Sequence, residues 1–300
     1  MISEEIRNFA NSIGIDGIGW FKSCSFNEYL KSLESRISQY NFEYRSMVDF
    51  MEAGMEKKGI KTIVVIVADY FYENNYKGSG FKLSNYSRFC WNTVEPLADK
   101  IINYIKGLGF SAQRINVPDR AAACIAELGF VGKNCMFYAS EVGSYAGIRT
   151  IGTDLELKDS ITGEEQTGSE ICRKCRKCIE SCPVGAIYQE GYRIDPGKCI
   201  SFLNRHVEEG CRQYPQNLTN LDGWLYGCEV CQDVCPLNKG KQHKRKVVFK
   251  PEIDIYGMRL PNVAEVSVWD LENRIRDLDS ECYKTYIENL KLSRKQVVDG

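Results

Sequence analysis

The first half of the chain changes repeatedly between the apolar spacing of helices and that of strands. Residues 61–69 (K-T-I-V-V-I-V-A-D) form a β-branched apolar run, which predicts a buried central strand. Residues 91–108 carry apolar side chains at helical spacing, so we predict a helix that ends at Gly109. The same patterns predict further helices over 3–12, 26–38, 44–55 and 119–128, and further strands over 16–21, 111–117, 134–139 and 146–153. This alternation predicts an α/β (α+β) layered domain.

The rest of the chain has a different pattern. Residues 158–170 are polar and contain glycine, which is typical of a linker or surface loop. A basic run occupies residues 239–246 (K-G-K-Q-H-K-R-K), and helical spacing returns over 263–271 and 283–292. We therefore expect three regions: a layered domain over 1–157, a cysteine-rich domain over 158–240, and a basic loop with C-terminal helices packing back on the core over 241–300.

Two cysteine motifs carry the clearest chemical signal in the chain. Cys172 to Cys182 follow the pattern C-x2-C-x2-C-x3-C-P, which is typical of a bacterial ferredoxin-like pair of [4Fe–4S] clusters. In this pattern three thiolates hold one cluster and the fourth reaches the other. A second motif, C-x2-C-x3-C-P, begins at Cys228, and Cys199 lies between the two.

The cysteines can be divided so that each cluster receives four thiolates. The first set is Cys172, Cys175, Cys178 and Cys235, and the second is Cys182, Cys199, Cys228 and Cys231. A pair of zinc ribbons is the alternative, because C-x2-C pairs also bind zinc. The C-P endings and the three-plus-one sharing favour the iron–sulfur clusters. Disulfides are disfavoured because nothing marks the chain as secreted.

The composition of the chain indicates the cellular environment in which these motifs function. The 300 residues are 43% hydrophobic, include 14 cysteines and carry a formal net charge of −1, which does not indicate a wholly basic nucleic-acid-binding surface. No signal peptide and no apolar stretch of membrane-spanning length is evident, so we expect no membrane association. Many thiols together with oxygen-sensitive clusters predict an anaerobic, reducing cytoplasm.

Short motifs around the cysteines add a family resemblance. Residues 128–134 read L-G-F-V-G-K-N, and Gly143-Ser144 follow. Cys199 is followed by I-S-F-L, and residues 225–238 read L-Y-G-C-E-V-C-Q-D-V-C-P-L-N. Over roughly residues 40–240, the chain resembles the epoxyqueuosine reductases, which are related to the cobalamin-dependent reductive dehalogenases.

The resemblance implies a fold and an activity. The N-terminal domain would be a layered α/β domain that binds cobalamin. Two [4Fe–4S] clusters would pass single electrons to the cobalt, and an external low-potential donor of the ferredoxin or flavodoxin type would supply them. In this family the substrate is an epoxide on a tRNA anticodon base, so tRNA is an expected partner. The alternatives are an iron–sulfur electron-transfer protein that reduces a corrinoid or other partner protein, and a nucleic-acid-binding module that uses residues 239–246.

The chain also departs from the family pattern. The catalytic aspartate of the family matches Gln113 here, and only Asp119-Arg120 resembles the end of that block. A D-Y-H motif of the family is replaced by Phe89-Cys90-Trp91. The chain also ends soon after its clusters, where many family members carry a tRNA-binding extension.

Candidate site residues follow from the resemblance. The residues expected to contact the corrinoid are Gly132, Lys133, Asn134, Gly143, Ser144, Ser201, Tyr226 and Gly227. Asp119 and Tyr145 are the candidate proton donors, because opening an epoxide requires a general acid. Each of these residues also has an ordinary structural interpretation: the glycines as turn residues, Asp119 as a helix cap and Tyr145 as a packing residue.

Overall fold

The computed structural model of the chain describes residues 2–23, 26, 59–71, 82–86, 90–157, 169–203, 224–241 and 243, and the backbone of 253–255 and 258–260. The helices predicted over 44–55, 263–271 and 283–292 lie outside these residues, as do the helix predicted over 26–38 apart from Phe26 and the part of the linker over 158–168.

The described elements include the helices and strands predicted over the described part of residues 2–153, together with short strands that the sequence pattern did not predict. The helices are α1 Ile2–Ser12, α2 Trp91–Gly107, α3 Asp119–Ile125, α4 Glu170–Lys174, α5 Lys177–Glu180, α6 Ile200–Leu203 and α7 Val230–Asp233, with a 3₁₀ turn at Pro236–Asn238. The strands are β1 Gly17–Lys22, β2 Thr62–Asp69, β3 Lys82–Leu83, β4 Ala112–Arg114, β5 Gly129–Val131, β6 Phe137–Ala139, β7 Ala146–Thr153, β8 Trp224–Tyr226, β9 Ile253–Ile255 and β10 Met258–Leu260.

A four-stranded sheet forms the centre of the N-terminal domain. Its strand order is β1-β2-β7-β4, and each neighbouring pair is antiparallel. All eight residues of β2 are buried, which confirms the central strand predicted from the β-branched run. Because successive side chains on a strand point to opposite faces, this buried strand supplies both sides of the sheet.

Helices cover both faces of this sheet. On one face Val64 and Ile66 pack with apolar residues of α1 and α2, including Ile6 and Ile101. On the other face Ile63, Val65 and Val67 pack with the buried alanines of α3. The result is a three-layer arrangement, in agreement with the predicted layered domain.

Several predicted elements are shorter than their patterns suggested. The strand expected over 111–117 covers only β4, and the helix expected over 119–128 ends at Ile125. Glu127 has a φ of 55°, which is incompatible with continuing the helix, and Gly129 begins β5 instead of ending α3. The strand expected over 134–139 is reduced to β6, because residues 132–136 form a turn closed by a hydrogen bond from Gly132 N to Met136 O (2.9 Å).

The cysteine-rich region consists of short helices and turns that follow the cysteine spacing. The Ser169 side chain begins α4 by accepting a hydrogen bond from Cys172 N (3.2 Å). Strand β8 runs parallel to β3 of the N-terminal domain, so the chain reaches Cys228 from a strand attached to that domain. In the third region, β9 and β10 form an antiparallel pair that the predicted loop and helices did not include. Within the described residues, no helix has the length and apolar character that crossing a membrane requires.

Candidate functional site

Four cysteines from both motifs line one cavity. Its walls are formed by Cys172, Cys175, Cys178 and Cys235, together with Lys133, Asn134, Tyr138, Pro236 and Leu237. These four cysteines are the set expected to hold the first cluster. Cys235 joins three cysteines that precede it by more than fifty residues, so the fold brings the end of the second motif to the first.

The other four cysteines form a second group. Cys228 interacts electrostatically with Cys199 and Cys182, and Cys231 interacts with Cys228 and Cys199. Cys182 therefore lies with the second motif although it belongs to the first in sequence. The two groups reproduce the three-plus-one exchange expected of two neighbouring clusters.

The geometry of the two groups fits a multi-iron cluster better than a single zinc ion. Burial, together with neighbouring thiols, raises the pKa of the Cys178 thiol to about 11 and that of Cys228 to about 12. Thiolates crowded in this way need positive charge beside them. A tetrahedral zinc ion would hold four sulfurs roughly 3.8 Å apart, given a Zn–S bond of about 2.3 Å. Within the described parts of the chain, no group of three or more Cys, His, Asp or Glu side chains is arranged to hold a single metal ion.

Hydrogen-bond donors of the protein point at several ligand sulfurs. Lys133 N donates to Cys172 Sγ (3.4 Å), and Ala186 N donates to Cys182 Sγ (3.3 Å). The Tyr138 hydroxyl hydrogen bonds with Cys235 and lowers the pKa of that thiol, although burial raises it overall. Such donors stabilise negative charge on sulfur, which is one way in which a protein sets the potential of a cluster.

Three polar residues predicted to contact a corrinoid form hydrogen bonds to the cysteine-rich region. Ser144 Oγ donates to Gln232 Oε1 (2.9 Å), and Asn134 Nδ2 donates to Tyr138 Oη (3.0 Å) and Cys231 O (3.3 Å). The buried Lys133 binds backbone carbonyls of the first cysteine motif. Its ammonium group therefore lies against the loop that carries the first cysteine motif.

The predicted glycines also approach protein atoms. A Cβ at Gly143 would lie 2.2 Å from Asn238 Oδ1, one at Gly227 would lie 2.0 Å from Ser84 Oγ, and one at Gly132 would lie 2.6 Å from a ring carbon of Tyr138. Gly143 and Gly227 also have positive φ values of 65° and 70°. Close packing between the two domains therefore involves Gly143 and Gly227, and close packing within the N-terminal domain involves Gly132.

The last two residues predicted to contact the corrinoid are Ser201 and Tyr226. Ser201 is half-buried on α6, two residues after the cluster ligand Cys199. Tyr226 ends β8, where its backbone is paired with Leu83, and its side chain lies outside what the structure describes.

The two predicted proton donors occupy different surroundings. Tyr145 is buried, and its hydroxyl donates to Asp233 Oδ1 (2.7 Å) on the second cysteine motif; burial and this carboxylate raise the pKa of Tyr145 well above its usual value. Asp119 instead accepts from Thr150 Oγ1 (3.0 Å) and pairs with Arg149 on the sheet. Burial raises the pKa of Asp119 to about 6, although Arg149 and Thr150 lower it.

The position that matches the family's catalytic aspartate lies elsewhere. Gln113 is exposed on β4, where its backbone pairs with Gly152. Asp119 pairs with residues of the sheet, whereas Tyr145 hydrogen bonds with Asp233 of the cysteine-rich region. Of the two predicted donors, only Tyr145 is brought to the domain junction.

A histidine from the basic run completes this junction. His243 Nδ1 lies 2.9 Å from Asp69 Oδ2, its ring stacks on Phe71 with a centroid separation of 4.0 Å, and its centroid is 5.9 Å from that of Tyr145. Asp69 is 1% exposed and also accepts from Phe71 N (2.8 Å). The carboxylate therefore fixes one imidazole nitrogen, and Nε2 makes no hydrogen bond with any described residue.

Sequence reasoning missed three further groups at the junction. Asn238 bonds Ser144 through its backbone and side chain, and Tyr138 contacts the Cys235 thiol. Glu229 is 4% exposed and accepts from Asn85 Nδ2 (3.0 Å) and Tyr86 N (3.2 Å), while burial raises its pKa to about 8. The sequence pattern that could have indicated Glu229 and Asn238 is the set of polar residues between and after the cysteines in C-E-V-C-Q-D-V-C-P-L-N. Such positions face the part of the protein that packs against the cysteine-rich domain.

The cysteine-rich region matches a known family. Residues 171–238 match the family model of a 4Fe-4S double cluster binding domain. All eight candidate ligands lie within its bounds: four cysteines of the first motif, three of the second, and Cys199. It supports two clusters in this part of the chain.

Whole-chain comparisons give a more specific likeness. The chain is 30% identical to the epoxyqueuosine reductase of Bacillus subtilis over 277 residues, which cover 85% of this chain and 68% of that relative. A crystal structure of epoxyqueuosine reductase with an epoxyqueuosine-modified tRNA-Tyr stem loop has a TM-score of 0.72 at 24% identity, covering 97% of this chain and 80% of that chain. A reductive dehalogenase structure that suggests a mechanism for B12-dependent dehalogenation has a TM-score of 0.51 at 17% identity, covering 98% and 36%. Both structural likenesses show the fold.

Proposed function

Because the chain belongs to the epoxyqueuosine reductase family, we propose that it is a reductase that conducts single electrons through two [4Fe–4S] clusters to an epoxide-bearing substrate. The observation that carries this proposal is the exchange of Cys182 and Cys235 between the two cysteine groups. Two clusters that share ligand loops lie close enough to exchange electrons. Removing an epoxide oxygen as water takes two electrons and two protons, so the protein must supply both.

A corrinoid is the proposed acceptor of these electrons. Support comes from the family resemblance and from the fold likeness to a B12-dependent dehalogenase. The glycines expected against the corrin ring contact Asn238, Ser84 and Tyr138 instead. These glycine contacts therefore do not by themselves define the corrinoid site.

We propose that the proton donor lies at the end of the sheet, beside the second cysteine motif. When Asp69 accepts the Nδ1 hydrogen of His243, the Nε2 of the imidazole is left as the group that exchanges a proton. A buried carboxylate that orients an imidazole is the arrangement that general acid–base catalysis uses. The Tyr145 hydroxyl already donates to Asp233, so His243 is the better placed proton donor of the two.

The substrate is proposed to be a tRNA that carries the epoxide. The relative of known structure holds an epoxyqueuosine-modified tRNA-Tyr stem loop. In this chain the basic run 239–246 begins directly after the second motif and includes His243, so phosphate-binding cations and the proposed proton donor belong to one segment. A ferredoxin or flavodoxin in the cytoplasm would supply the electrons.

One anaerobic experiment tests the electron path and the substrate together. The purified protein is analysed for iron, sulfide and corrinoid absorption, and is then incubated with a chemical reductant and an epoxyqueuosine-containing tRNA stem loop. We expect iron and sulfide for two clusters, a corrinoid band, and loss of one oxygen atom from the modified nucleoside by mass spectrometry. Clusters without a corrinoid band and without turnover would support the electron-transfer protein instead.

A further inference from the structure

Lys133 places a buried cation beside the first cysteine group. The residue is 9% exposed, and its Nζ donates to Arg173 O (2.7 Å) and Cys175 O (3.1 Å) within the first motif. Its backbone N donates to Cys172 Sγ (3.4 Å), and its carbonyl accepts from Tyr192 N (2.8 Å). Side chain and backbone of Lys133 are therefore fixed against the same cluster loop.

The chain closes over the stem of this lysine. A Cβ on Gly191, whose φ is 75°, would lie 2.5 Å from Lys133 Cγ. The glycine lets the backbone pass directly over the aliphatic part of the side chain, which holds the ammonium group in place and excludes water from it. The position of the charge is thus set by packing as well as by hydrogen bonds.

The charge of Lys133 has no carboxylate partner among the described residues, because its hydrogen bonds all go to backbone carbonyls. A buried charge without an opposite charge is costly. The group that can supply the opposite charge is the cluster, because four thiolates carry more negative charge than an iron–sulfide core carries positive charge. Reduction of the cluster adds one more negative charge, so a nearby cation favours the reduced form.

Other cations near the first motif are less able to do this. Lys174 pairs with Glu170, Arg176 pairs with Glu180, and all four side chains are largely exposed to water. Exposed and paired charges are screened, whereas a buried one is screened much less. Lys133 is therefore buried and has no carboxylate partner among the described residues, whereas Lys174 and Arg176 of the C-R-K-C-R-K-C motif are exposed and paired.

The second cysteine group has different surroundings. Glu229 follows Cys228 directly and is 4% exposed, but burial raises its pKa to about 8, so it carries little charge at neutral pH. Asp233 lies between Cys231 and Cys235 and is exposed to water, which screens its charge. Within the described residues, the fold thus places a buried, unpaired cation by the first group, and the buried acid beside Cys228 supplies no such charge to the second.

We propose that Lys133 is the counter-charge of the first cluster and sets its reduction potential above that of the second, so that an electron shared by the two clusters resides mainly on the first. This inference depends on the two clusters of the proposed function. It does not depend on the corrinoid or on the substrate, and so it can fail while the proposed function stands.

The test compares Lys133→Gln with the unmodified protein in a redox titration followed by electron paramagnetic resonance. Glutamine keeps a donor for the carbonyls and removes the charge. We expect the ratio of reduced to oxidised first cluster at a fixed solution potential to fall about tenfold, equivalent to a shift of about 59 mV for a one-electron couple. The second cluster should shift much less. Lys177→Gln, at an exposed cation next to Cys178, is the matched control and should leave both clusters unchanged.

Two results would overturn the inference. One is an unchanged pair of potentials in Lys133→Gln at full iron content. The other is loss of the first cluster from both Lys133→Gln and a second neutral variant, Lys133→Met, while Lys177→Gln keeps both; this would assign Lys133 to cluster assembly. A protein without iron would instead contradict the proposed function itself.

Discussion

Ser144 and Asn238 hold the N-terminal domain and the cysteine-rich domain together through two reciprocal hydrogen bonds. Ser144 N donates to Asn238 Oδ1 (2.8 Å), and Asn238 Nδ2 donates to Ser144 Oγ (2.8 Å). The Asn238 amide also donates to Gln232 O (2.8 Å), and the absence of a side chain on Gly143 lets Asn238 approach. One amide therefore connects the start of β7 to the turn that follows the last cluster ligand.

Replacing this amide should loosen the junction. Asn238→Ala removes the partner of Ser144 N and one of the two hydrogen bonds of Ser144 Oγ in a buried site, which costs about 1–3 kcal/mol. We expect faster hydrogen–deuterium exchange in peptides that contain residues 140–146, measured by mass spectrometry on the cluster-loaded protein. Lys239→Ala, at the exposed neighbouring position, is the control. Equal protection in both variants would mean that other contacts position the domain.

The exchange of cysteines between motifs predicts which cluster each substitution damages. Cys182→Ser lies in the first motif but should alter the same cluster as Cys228→Ser, because both thiols belong to the second group. Cys235→Ser should likewise resemble Cys172→Ser, since both line the first cavity. The measurement is the electron paramagnetic resonance signal of each reduced variant, with its iron content. The ligand assignment would be wrong if Cys182→Ser changed the same cluster signal as Cys172→Ser, and Cys235→Ser the same signal as Cys228→Ser.

The sequence predicted the parts of this protein that depend on local patterns. The β-branched run predicted β2, and the helical spacing predicted α2. The cysteine spacing indicated two groups that the fold brings together. The contacts of the glycines could not be predicted, because sequence spacing indicates that the backbone needs room but does not show which atoms approach it. Asn238 packs against Gly143 and Ser84 packs against Gly227. The pair formed by Asp69 and His243 is separated by 174 residues, and no periodicity links positions so far apart.

The network around Asp119 predicts a pH dependence of stability. The pKa of Asp119 is about 6 in the folded protein, against an ordinary value of 3.8, and burial is the main cause. Because the folded state binds this proton more tightly than the unfolded chain does, the resulting stabilisation is present below about pH 4 and is lost as the pH rises through about 6. Asp119→Asn cannot ionise, so it does not undergo this loss.

The melting temperature of Asp119→Asn relative to the unmodified protein should therefore rise between about pH 5 and pH 7. The measurement is anaerobic differential scanning fluorimetry across that range. Asp99→Asn, at a half-exposed carboxylate that pairs with Arg114 in the same network, should show no such trend. A difference that stays constant with pH would indicate that Asp119 is ionised throughout and that its pairing with Arg149 outweighs burial.

Substitutions at His243 test the source of the protons. His243→Phe keeps a ring against Phe71 but removes both nitrogens, and we expect turnover of the epoxide substrate to fall about 10²- to 10⁴-fold, as for loss of a general acid. Asp69→Asn should retain more activity, because the imidazole remains but loses the carboxylate that orients it. Its pH–rate profile should shift, which a purely structural role of Asp69 would not cause.

Tyr145→Phe provides the comparison at the same site. It removes the hydrogen bond to Asp233 while keeping the ring beside Phe71, so it tests the tyrosine hydroxyl separately from packing. We expect a smaller loss of turnover than in His243→Phe, because that hydroxyl already donates to a carboxylate. Iron content and the rate of cluster reduction by dithionite should be unchanged in all three variants, which separates proton delivery from electron delivery. A larger loss in Tyr145→Phe than in His243→Phe would exchange the two roles and make the tyrosine the proton donor.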